Sequence, residues 1–284
     1  RTGACMRLAA RHQAFADLHQ SGCFVIPNPW DIGSARMMAA LGAKALATSS
    51  AGYAFTLGRP DMGRVTRDEM LAHAQDMVAA TDLPVSGDFE NGFGDDPDTV
   101  AETVRLAGEV VLSGCSIEDT IMTDGNPSYD FDLAVERIKA AVSAARALGR
   151  PFILCARTDG VMNGTYDTNE AIRRAQAFEA AGADLLYAPV LPDRNALEIF
   201  VKSVRKPVNV LAAGVPQKMS VAEIAALGVR RISTGSKIAR LTHAAIHNSV
   251  AEMLGAGTFT SFNDAMNGDA VDALLAQGKS TSQE

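Results

Sequence analysis

Residues Pro84–Asp119 read PVSGDFENGFGDDPDTVAETVRLAGEVVLSGCSIED, and they contain one complete copy of the pattern that decides the fold. Two short apolar runs, Pro84–Glu90 and Ser113–Asp119, have the length of buried strands. Between them, Asp98–Val111 carries Ala, Glu and Arg in a helical pattern. A strand, a helix and a second strand in this order predict two parallel strands joined by a crossover helix.

The same alternation recurs along the whole chain. About eight apolar runs are each followed by a helical pattern, and eight is the number of strands in a closed (β/α)8 barrel. The predicted strands are Cys23–Pro27, Ala43–Ser49, Pro84–Glu90, Ser113–Asp119, Pro151–Thr158, Asp184–Pro189, Pro207–Ala212 and Arg230–Thr234. The predicted barrel helices are Asp31–Leu41, Thr66–Ala80, Asp98–Val111, Phe131–Leu148, Asn169–Ala181, Arg194–Val204 and Ser220–Leu227. We therefore predict an α/β fold of the TIM-barrel type.

Segments at both ends of the sequence lie outside this alternation. No linker-like, low-complexity or charge-block segment divides the chain, so residues 1–284 are predicted to form one barrel domain. Its predicted parts are an N-terminal helical region at 1–22, the barrel at 23–236 and C-terminal helices at 237–284. An extra helix at Leu8–Gln20 is placed to cover the barrel bottom. Of two C-terminal helices, Ile238–Leu254 and Ser261–Gln277, the first has an apolar side that we expect to pack on another chain or barrel.

Composition excludes several classes of protein. Of 284 residues, 47% are hydrophobic, which is enough for a large core and argues against disorder. The net charge of −7 gives no basic footprint for nucleic acid, and no apolar run is long enough to span a membrane. No signal-peptide pattern opens the sequence, and the four cysteines lack the spacing of a secreted disulfide framework. We expect a cytoplasmic protein with no nucleic-acid or membrane partner.

Three carboxylates gather where two predicted strands end. Asp88 and Glu90 are two residues apart and should face the same side of a strand, and Glu118 ends the next strand. Carboxylates that meet at one barrel mouth repel each other unless a cation lies between them. Oxygen ligands without His or Cys favour Mg²⁺, with Mn²⁺ as a substitute, and Arg157 adds a positive fork for a substrate carboxylate. The alternative is that these carboxylates cap helices or pair with arginines at the rim.

Small residues end the second predicted strand. Ser49, Ser50 and Ala51 would let backbone N–H groups approach a bound oxyanion, although a tight strand-to-helix turn explains the same residues. Tyr53 and Asp61 lie on the loop beyond, and the turn at Asp61 would direct its carboxylate to the mouth.

Taken together, these motifs carry a resemblance to a known family. N-P-W-D with S-A-R, S-S-A-G-Y, a carboxylate twelve residues after its first Ser, D-F-E-N-G-F-G, I-E-D and A-R-T-D occur in that order between about residues 24 and 240. This set resembles the isocitrate lyase and phosphoenolpyruvate mutase superfamily. The resemblance implies a (β/α)8 barrel whose last helix is exchanged with a neighbouring subunit in a dimer of dimers. It also implies Mg²⁺ with a 2-oxo acid or enolate bound beside it.

The resemblance also implies roles for single residues. Asp88 would bind the metal directly, and Glu90 and Glu118 would bind it through water. The substrate carboxylate and oxyanion would be held by Ser49, Ser50 and Ala51. Asp61 matches a further site carboxylate, and Arg157 matches the arginine that steadies the enolate or the leaving part.

One loop departs from the family pattern. Thr120–Phe131 reads TIMTDGNPSYDF and lacks the cysteine of the family's lyases, and Thr120 stands where the phosphonate branch has a lysine. We therefore predict a Mg²⁺-dependent carbon–carbon lyase or decarboxylase that acts on a small 2-oxo or 2-hydroxy dicarboxylate, such as oxaloacetate, through an enolpyruvate-type intermediate. Decarboxylation is favoured because water can protonate the enolate. The predicted catalytic residues are Arg157, Asp61 and Tyr53, with Tyr53 as an acid or base for 2-hydroxy acid cleavage.

Three alternatives stay open at this point. The first alternative is a phosphonate enzyme, either a phosphonopyruvate hydrolase or a phosphoenolpyruvate mutase-like enzyme. The second is a non-catalytic barrel that binds a dicarboxylate. The third is a phosphate-binding barrel, since Ser233–Ser236 resembles a phosphate-binding turn before a helix.

Overall fold

The structure, a computed structural model, describes residues 2–281, and side chains from Arg7 onward. Eight parallel strands pair in the order β1-β8-β7-β6-β5-β4-β3-β2, and the N–H of Ala47 in β2 bridges the remaining seam to the carbonyl of Pro27 after β1. The strands are β1 Phe24–Ile26, β2 Leu46–Ala47, β3 Val85–Asp88, β4 Gly114–Glu118, β5 Ile153–Arg157, β6 Leu185–Tyr187, β7 Val208–Leu211 and β8 Arg231–Ser233. The predicted (β/α)8 barrel is confirmed, and each observed strand lies within a predicted one.

The helices follow the strands in the order expected of such a barrel. They are α1 Thr2–Leu18, α2 Ile32–Ala40, α3 Ser50–Thr56, α4 Arg67–Ala80, α5 Pro97–Glu109, α6 Phe131–Ala147, α7 Gly160–Asn163, α8 Thr168–Ala180, α9 Arg194–Lys202, α10 Val221–Ala226, α11 Lys237–Gly255 and α12 Gly268–Gln277. Short 3₁₀ turns form at Pro216–Lys218 and Thr260–Asp264. The predicted capping box at the start of α4 is present, since Thr66 and Glu69 each bond the other's backbone N–H. Helices α3 and α7, which follow β2 and β5, are not among the predicted helices.

Helix α1 packs across the amino-terminal end of the barrel. Phe15 is fully buried and packs with Phe24 and Ile26 of β1. His12 Nδ1 lies 2.8 Å from the hydroxyl of Ser113, at the start of β4. The ring of His19, just after the helix, packs edge-on against the ring of Phe24 in β1, with centroids 5.2 Å apart. These contacts tie the helix to the strand starts, so the mouth at the opposite end is the open one.

The C-terminal helices behave differently from each other. Helix α12 returns to the barrel and packs on α2, and the N–H of Ser280 after it donates to the carbonyl of Ala80. Helix α11 leaves the barrel with Leu241, Ile246 and Leu254 exposed. In the stretch from residue 2 to residue 281, no helix combines the length and the apolar character needed to span a bilayer.

Candidate active site

A cavity of about 440 Å³ opens at the carboxyl ends of the strands. The carboxylates that line it are Asp61, Asp88, Glu90, Glu118 and Asp159. The cations that line it are Arg157, Lys237 and Arg240. The barrel thus brings together all three predicted metal ligands and the predicted arginine at one mouth.

Asp88, the last residue of β3, is fixed by the segment after β2. Ser50 donates its backbone N–H over 2.9 Å and its hydroxyl over 2.7 Å to Asp88 Oδ2. The Asp88 N–H in turn donates to the hydroxyl of Thr48 over 2.8 Å. The other carboxylate oxygen, Oδ1, lies 3.5 Å from Arg157 Nη1 and accepts only a long bond of 3.3 Å from the Glu90 N–H. Oδ1 therefore keeps a lone pair for a ligand.

Glu90 reaches the mouth through a backbone turn rather than from the strand. Strand β3 ends at Asp88, and Glu90 has a φ of 49°, in the left-handed region. Its carboxylate is buried and accepts a 3.3 Å bond from the N–H of Gly63. Burial and the charge of Asp88 raise the pKa of Glu90 to about 7. Gly87, which precedes Asp88, packs against the barrel wall, since a Cβ there would meet Leu112 at 2.8 Å.

Glu118 is a further buried carboxylate of the mouth. It ends β4 and is 5% exposed, and its Oε2 lies 3.5 Å from Arg157 Nη2. Its Oε1 is buried and has no hydrogen-bond partner within the described chain. Burial, followed by the charge of Asp159, raises the pKa of Glu118 well above its ordinary value. An unpartnered buried carboxylate oxygen at a crowded anionic site fits a cation or an ordered water beside it.

Arg157, which ends β5, is already paired. Its Nε and Nη2 bond the two oxygens of Asp159 over 3.1 and 2.8 Å, and its guanidinium lies 4.9 Å from the centre of the Tyr187 ring. The two-pronged contact predicted for a substrate carboxylate is thus made to Asp159. The remaining nitrogen, Nη1, faces Asp88 and the cavity. Burial raises the pKa of Asp159 to about 6, against the opposing charge of Arg157.

Asp159 belongs to the A-R-T-D motif but is not among the predicted site residues. Its spacing of two residues from Arg157 was the available signal. Its neighbour Asp119, in the I-E-D motif, fixes it from behind. Asp119 Oδ1 accepts the N–H of Asp159 over 2.9 Å, and its Oδ2 accepts from the Tyr166 hydroxyl and from Arg174.

The small-residue segment after β2 forms helix α3. Ser49 caps that helix by accepting the N–H of Gly52 on its hydroxyl. Since Ser50 is occupied by Asp88, its predicted contact with substrate is replaced by a contact with the proposed metal ligand. Ser49, Ser50 and Ala51 all line the cavity, as does Asp61 at its exposed rim. Desolvation and the charge of Asp88 raise the pKa of Asp61.

Tyr53 lies away from the mouth. Its ring stacks on the His73 ring of α4, with centroids 4.0 Å apart, and the helical turn of α3 directs it there. Burial and the charge of Glu69 on α4 raise the pKa of Tyr53. Because its side chain packs between helices, this placement removes the ground for Tyr53 as an acid or base.

The loop after β4 folds into a pinned hairpin. Thr120 pairs with Ser128, and the Ile121 N–H donates to the Pro127 carbonyl over 2.7 Å. The Tyr129 hydroxyl donates to Asp95 Oδ1 over 2.6 Å and so ties this hairpin to the loop after β3. No cysteine or histidine lines the mouth among residues 2–281.

The predicted phosphate-binding turn after β8 is wrong. The N–H groups of Thr234 and Gly235 both donate to Asn28 Oδ1, each over 2.9 Å. A phosphate would need these same donors, and they are used inside the barrel. The charges beyond this turn, Lys237 and Arg240, were not singled out from the sequence.

The arrangement limits how a metal could be held. Within the described part of the chain, no three His, Cys, Asp or Glu side chains form a complete ligand cluster. A cation at Asp88 Oδ1 would therefore take one direct carboxylate ligand and reach Glu90 and Glu118 through water. Mg²⁺ favours such sites because it gives up its water reluctantly.

Comparisons with known proteins agree with this architecture. Residues 15–254 match the family described as phosphoenolpyruvate phosphomutase. Oxaloacetate decarboxylase of Paraburkholderia xenovorans strain LB400 is 30% identical over 271 residues, which are 92% of this chain and 86% of that protein. A solved protein of Burkholderia cenocepacia J2315, provisionally described as a lyase/mutase, is 47% identical with a TM-score of 0.91 and covers 95% of this chain and 97% of its own. Oxaloacetate acetylhydrolase, solved with its product oxalate, is 25% identical with a TM-score of 0.83, over 95% and 94% of the two chains.

Proposed function

This chain belongs to the phosphoenolpyruvate phosphomutase family, and we propose that it is a Mg²⁺-dependent carbon–carbon lyase that decarboxylates a small 2-oxo dicarboxylate such as oxaloacetate. The family resemblance inferred from the motifs is confirmed, and lyase chemistry is supported by the related oxaloacetate decarboxylase. The observation that carries the proposal is the set of carboxylates at the mouth around Asp88. Asp88 Oδ1 has only long contacts, 3.5 Å to Arg157 Nη1 and 3.3 Å to the Glu90 N–H, and Glu118 Oε1 is buried without a hydrogen-bond partner among the described residues.

The chain's own groups have separable tasks in this reaction. When bound, the cation would withdraw electrons from the 2-oxo acid as CO₂ leaves. Ser50 holds Asp88 in place, so that the ligand oxygen is fixed before substrate arrives. Arg157 Nη1 points into the cavity and stabilises the enolate oxygen, while Asp159 fixes the guanidinium from the other side.

Decarboxylation is the reaction that asks least of these residues. Cleavage of a 2-hydroxy acid needs a base for the hydroxyl and an acid for the carbanion. The mouth has no Cys or His within the described residues, and Tyr53 packs elsewhere. An enolate left by CO₂ takes its proton from water, so no positioned thiol is required. Cleavage of a 2-hydroxy dicarboxylate is the second candidate.

The test is a screen of 2-oxo and 2-hydroxy dicarboxylates and phosphonopyruvate, each with and without Mg²⁺ or Mn²⁺, with pyruvate as the readout. We expect metal-dependent release of pyruvate from oxaloacetate, lost with chelator and restored by Mg²⁺. Asp88→Ala should abolish tight Mg²⁺ binding in calorimetry, whereas Asp68→Ala on the exposed first turn of α4 should bind as the parent does. Because oxaloacetate also decarboxylates with free metal, Asp88→Ala sets the background.

Failure would take distinct forms. Turnover of phosphonopyruvate in place of oxaloacetate would assign the chain to the phosphonate branch. Dicarboxylate binding without turnover would make it a non-catalytic binding barrel. Unchanged Mg²⁺ affinity in Asp88→Ala would place the metal elsewhere.

We also propose a cytoplasmic location, since Cys23, Cys115 and Cys155 are free thiols in the structure.

A further inference from the structure

We propose that Lys237 and Arg240, at the start of α11, form a subsite for the second anionic group of the substrate, a carboxylate or a phosphonate. The inference rests on the proposed function, because it assumes that the 2-oxo acid end lies at Asp88. It adds the residues that would make the enzyme select a substrate with two anionic ends.

The mouth is divided by charge into two sides. The carboxylates all follow β2, β3, β4 and β5, which are consecutive in the barrel. On the wall from β6 to β8, the charged groups are Lys237 and Arg240. The other residues of that wall, such as Val190, Leu211 and Ala213, are apolar or neutral. A small dicarboxylate within about 440 Å³ would thus meet a cation-binding end and a cationic end.

Among the described residues, neither cation has an acidic partner. The ion pairs of the described residues include Arg157 at the mouth but neither Lys237 nor Arg240. Helix α11 has no acidic residue in its first turn, and its sequence KIARLTHAAIHNSVAEMLG has none before Glu252. Neither side chain therefore has the i to i+4 acidic neighbour that usually explains an exposed basic residue on a helix.

Their position on the helix is unfavourable for stability. Lys237 is the first residue of α11 and Arg240 the fourth. Positive charges in the first turn oppose the helix dipole, which favours anions there. Two cations at this point cost stability in the free protein, and an anion bound between them and the cavity would offset that cost.

Other donors that could bind the distal group are used or missing. The N–H groups of Thr234 and Gly235 donate to Asn28. The hairpin from Thr120 to Phe131 contains no Lys, Arg or His. Arg157 pairs with Asp159 and Glu118 through Nε and Nη2, and its Nη1 faces Asp88, the end of the cavity assigned to the enolate oxygen. Among the cationic side chains that line the mouth, Lys237 and Arg240 are therefore the ones available to a distal anion.

The test measures binding, so it needs no turnover. Two probes can chelate the metal with adjacent oxygen groups. Oxalate has nothing beyond its two adjacent carboxylates, whereas 3,3-difluorooxaloacetate has a 2-oxo acid at one end and a further carboxylate at the other. Calorimetry with the Mg²⁺-loaded protein would compare the parent with Lys237→Met/Arg240→Met. Arg194→Met, which removes an exposed cation from the first turn of α9, is the matched control. Lys237→Arg is the conservative variant.

We expect the double variant to lose roughly 10- to 100-fold in affinity for 3,3-difluorooxaloacetate while oxalate affinity stays within about threefold. The Arg194→Met and Lys237→Arg proteins should bind both probes as the parent does. Phosphonopyruvate is a third probe, whose distal group is a phosphonate. If the parent binds it more tightly than 3,3-difluorooxaloacetate, the subsite prefers a phosphonate; the reverse order assigns it to a carboxylate.

The outcomes that overturn the subsite differ from those that overturn the proposed function. Equal affinity of parent and double variant for 3,3-difluorooxaloacetate refutes the subsite alone. Equal weakening of both probes also refutes it, as that indicates general damage to the mouth. A parent protein that binds neither oxalate nor the longer probe refutes the proposed function and the subsite with it.

Discussion

Arg157 is the residue whose chemistry tolerates the least change. Arg157→Lys should lower kcat/KM by at least about 100-fold, because an ammonium group cannot bond both oxygens of Asp159 and also face Asp88. The loss corresponds to about 3 kcal/mol of transition-state stabilisation. Steady-state kinetics on the best substrate of the screen would measure it.

A cysteine-free protein is the control for this prediction. Cys115 and Cys155 are fully buried in β4 and β5, and burial raises the pKa of Cys155 to about 11, so neither is a reactive thiol. Replacing all four cysteines with Ser or Ala should keep the rate within about tenfold, allowing for packing losses. A folded, Mg²⁺-binding but inactive cysteine-free protein beside a nearly normal Arg157→Lys would contradict our assignment of the chemistry.

Residues at strand ends could be predicted from sequence, whereas on turns and loops Glu90 and Asp61 were placed correctly at the mouth and Tyr53 was not. Glu118 and Arg157 end strands, so the geometry of a barrel alone places them at the mouth. Tyr53 was misplaced because α3 begins three residues earlier and turns its side chain toward α4. The pairing of Arg157 with Asp159 was not foreseen, although a buried guanidinium next to a carboxylate at this spacing will pair with it.

Helix α6 contacts the loop after β3, directly beyond the proposed metal ligands Asp88 and Glu90. Arg137 of α6 is buried and donates to the carbonyls of Asn91, Gly94 and Asp95 in the loop after β3. Arg137→Met should destabilise the fold by about 3 kcal/mol, because it leaves buried carbonyl groups unpaired. It should also weaken Mg²⁺ binding, since this loop follows Asp88 and Glu90.

Denaturant unfolding and calorimetry would test both effects. Arg105→Met on α5 is the matched control, since its ion pairs with Glu102 and Glu109 are exposed and contribute little. Loss of stability without any change in Mg²⁺ affinity would show that the loop keeps its shape without Arg137.

The alternation of strand and helix patterns along the chain predicts the barrel, but it does not predict the short helices α3 and α7, which depend on tertiary contacts. The eight strands were found because each is a buried apolar run before an amphipathic helix. Helix α3 depends on contacts distant in sequence, such as Ser50 with Asp88. Helix α7 packs closely on the Tyr166 ring, where a Cβ at Gly160 would lie 2.2 Å from it. Neither signal is visible in a window of neighbouring residues.

The stability of the whole metal-free molecule should fall as the pH rises toward neutrality. The pKa of Glu90 is raised to about 7 and that of Asp159 to about 6. The folded state therefore binds protons that the unfolded state has released, and this stabilisation is complete below about pH 4 and lost as the pH passes 6 to 7. For Glu90 alone the change is up to about 3 kcal/mol.

Thermal unfolding in chelator between pH 5 and pH 8 would measure this change. Glu90→Gln should lose less stability than the parent over that range, and Mg²⁺ should restore the parent at pH 8. A parent whose Tm rises with pH in step with Glu90→Gln would contradict the predicted sign.

The exposed apolar side chains of α11 bear on how the whole molecule assembles. On α11, Leu241, Ile246 and Leu254 are 68%, 60% and 84% exposed, although the helix is one of the longest in the chain. Exposed apolar side chains along one long helix are costly unless another surface covers them. We propose that a neighbouring subunit does so, as the family resemblance implies for an exchanged helix in a dimer of dimers.

Ile246→Glu/Leu254→Glu should shift the protein from dimer or tetramer toward monomer in analytical ultracentrifugation, because a charge buried at such an interface is strongly unfavourable. These positions lie beyond the first turn of α11, so Lys237 and Arg240 stay in place at the mouth. Val221→Glu, which changes an exposed apolar residue on α10, should leave the assembly intact. A parent chain that sediments as a monomer at micromolar concentration would rule out the exchanged helix, and α11 would then need a different partner to cover it.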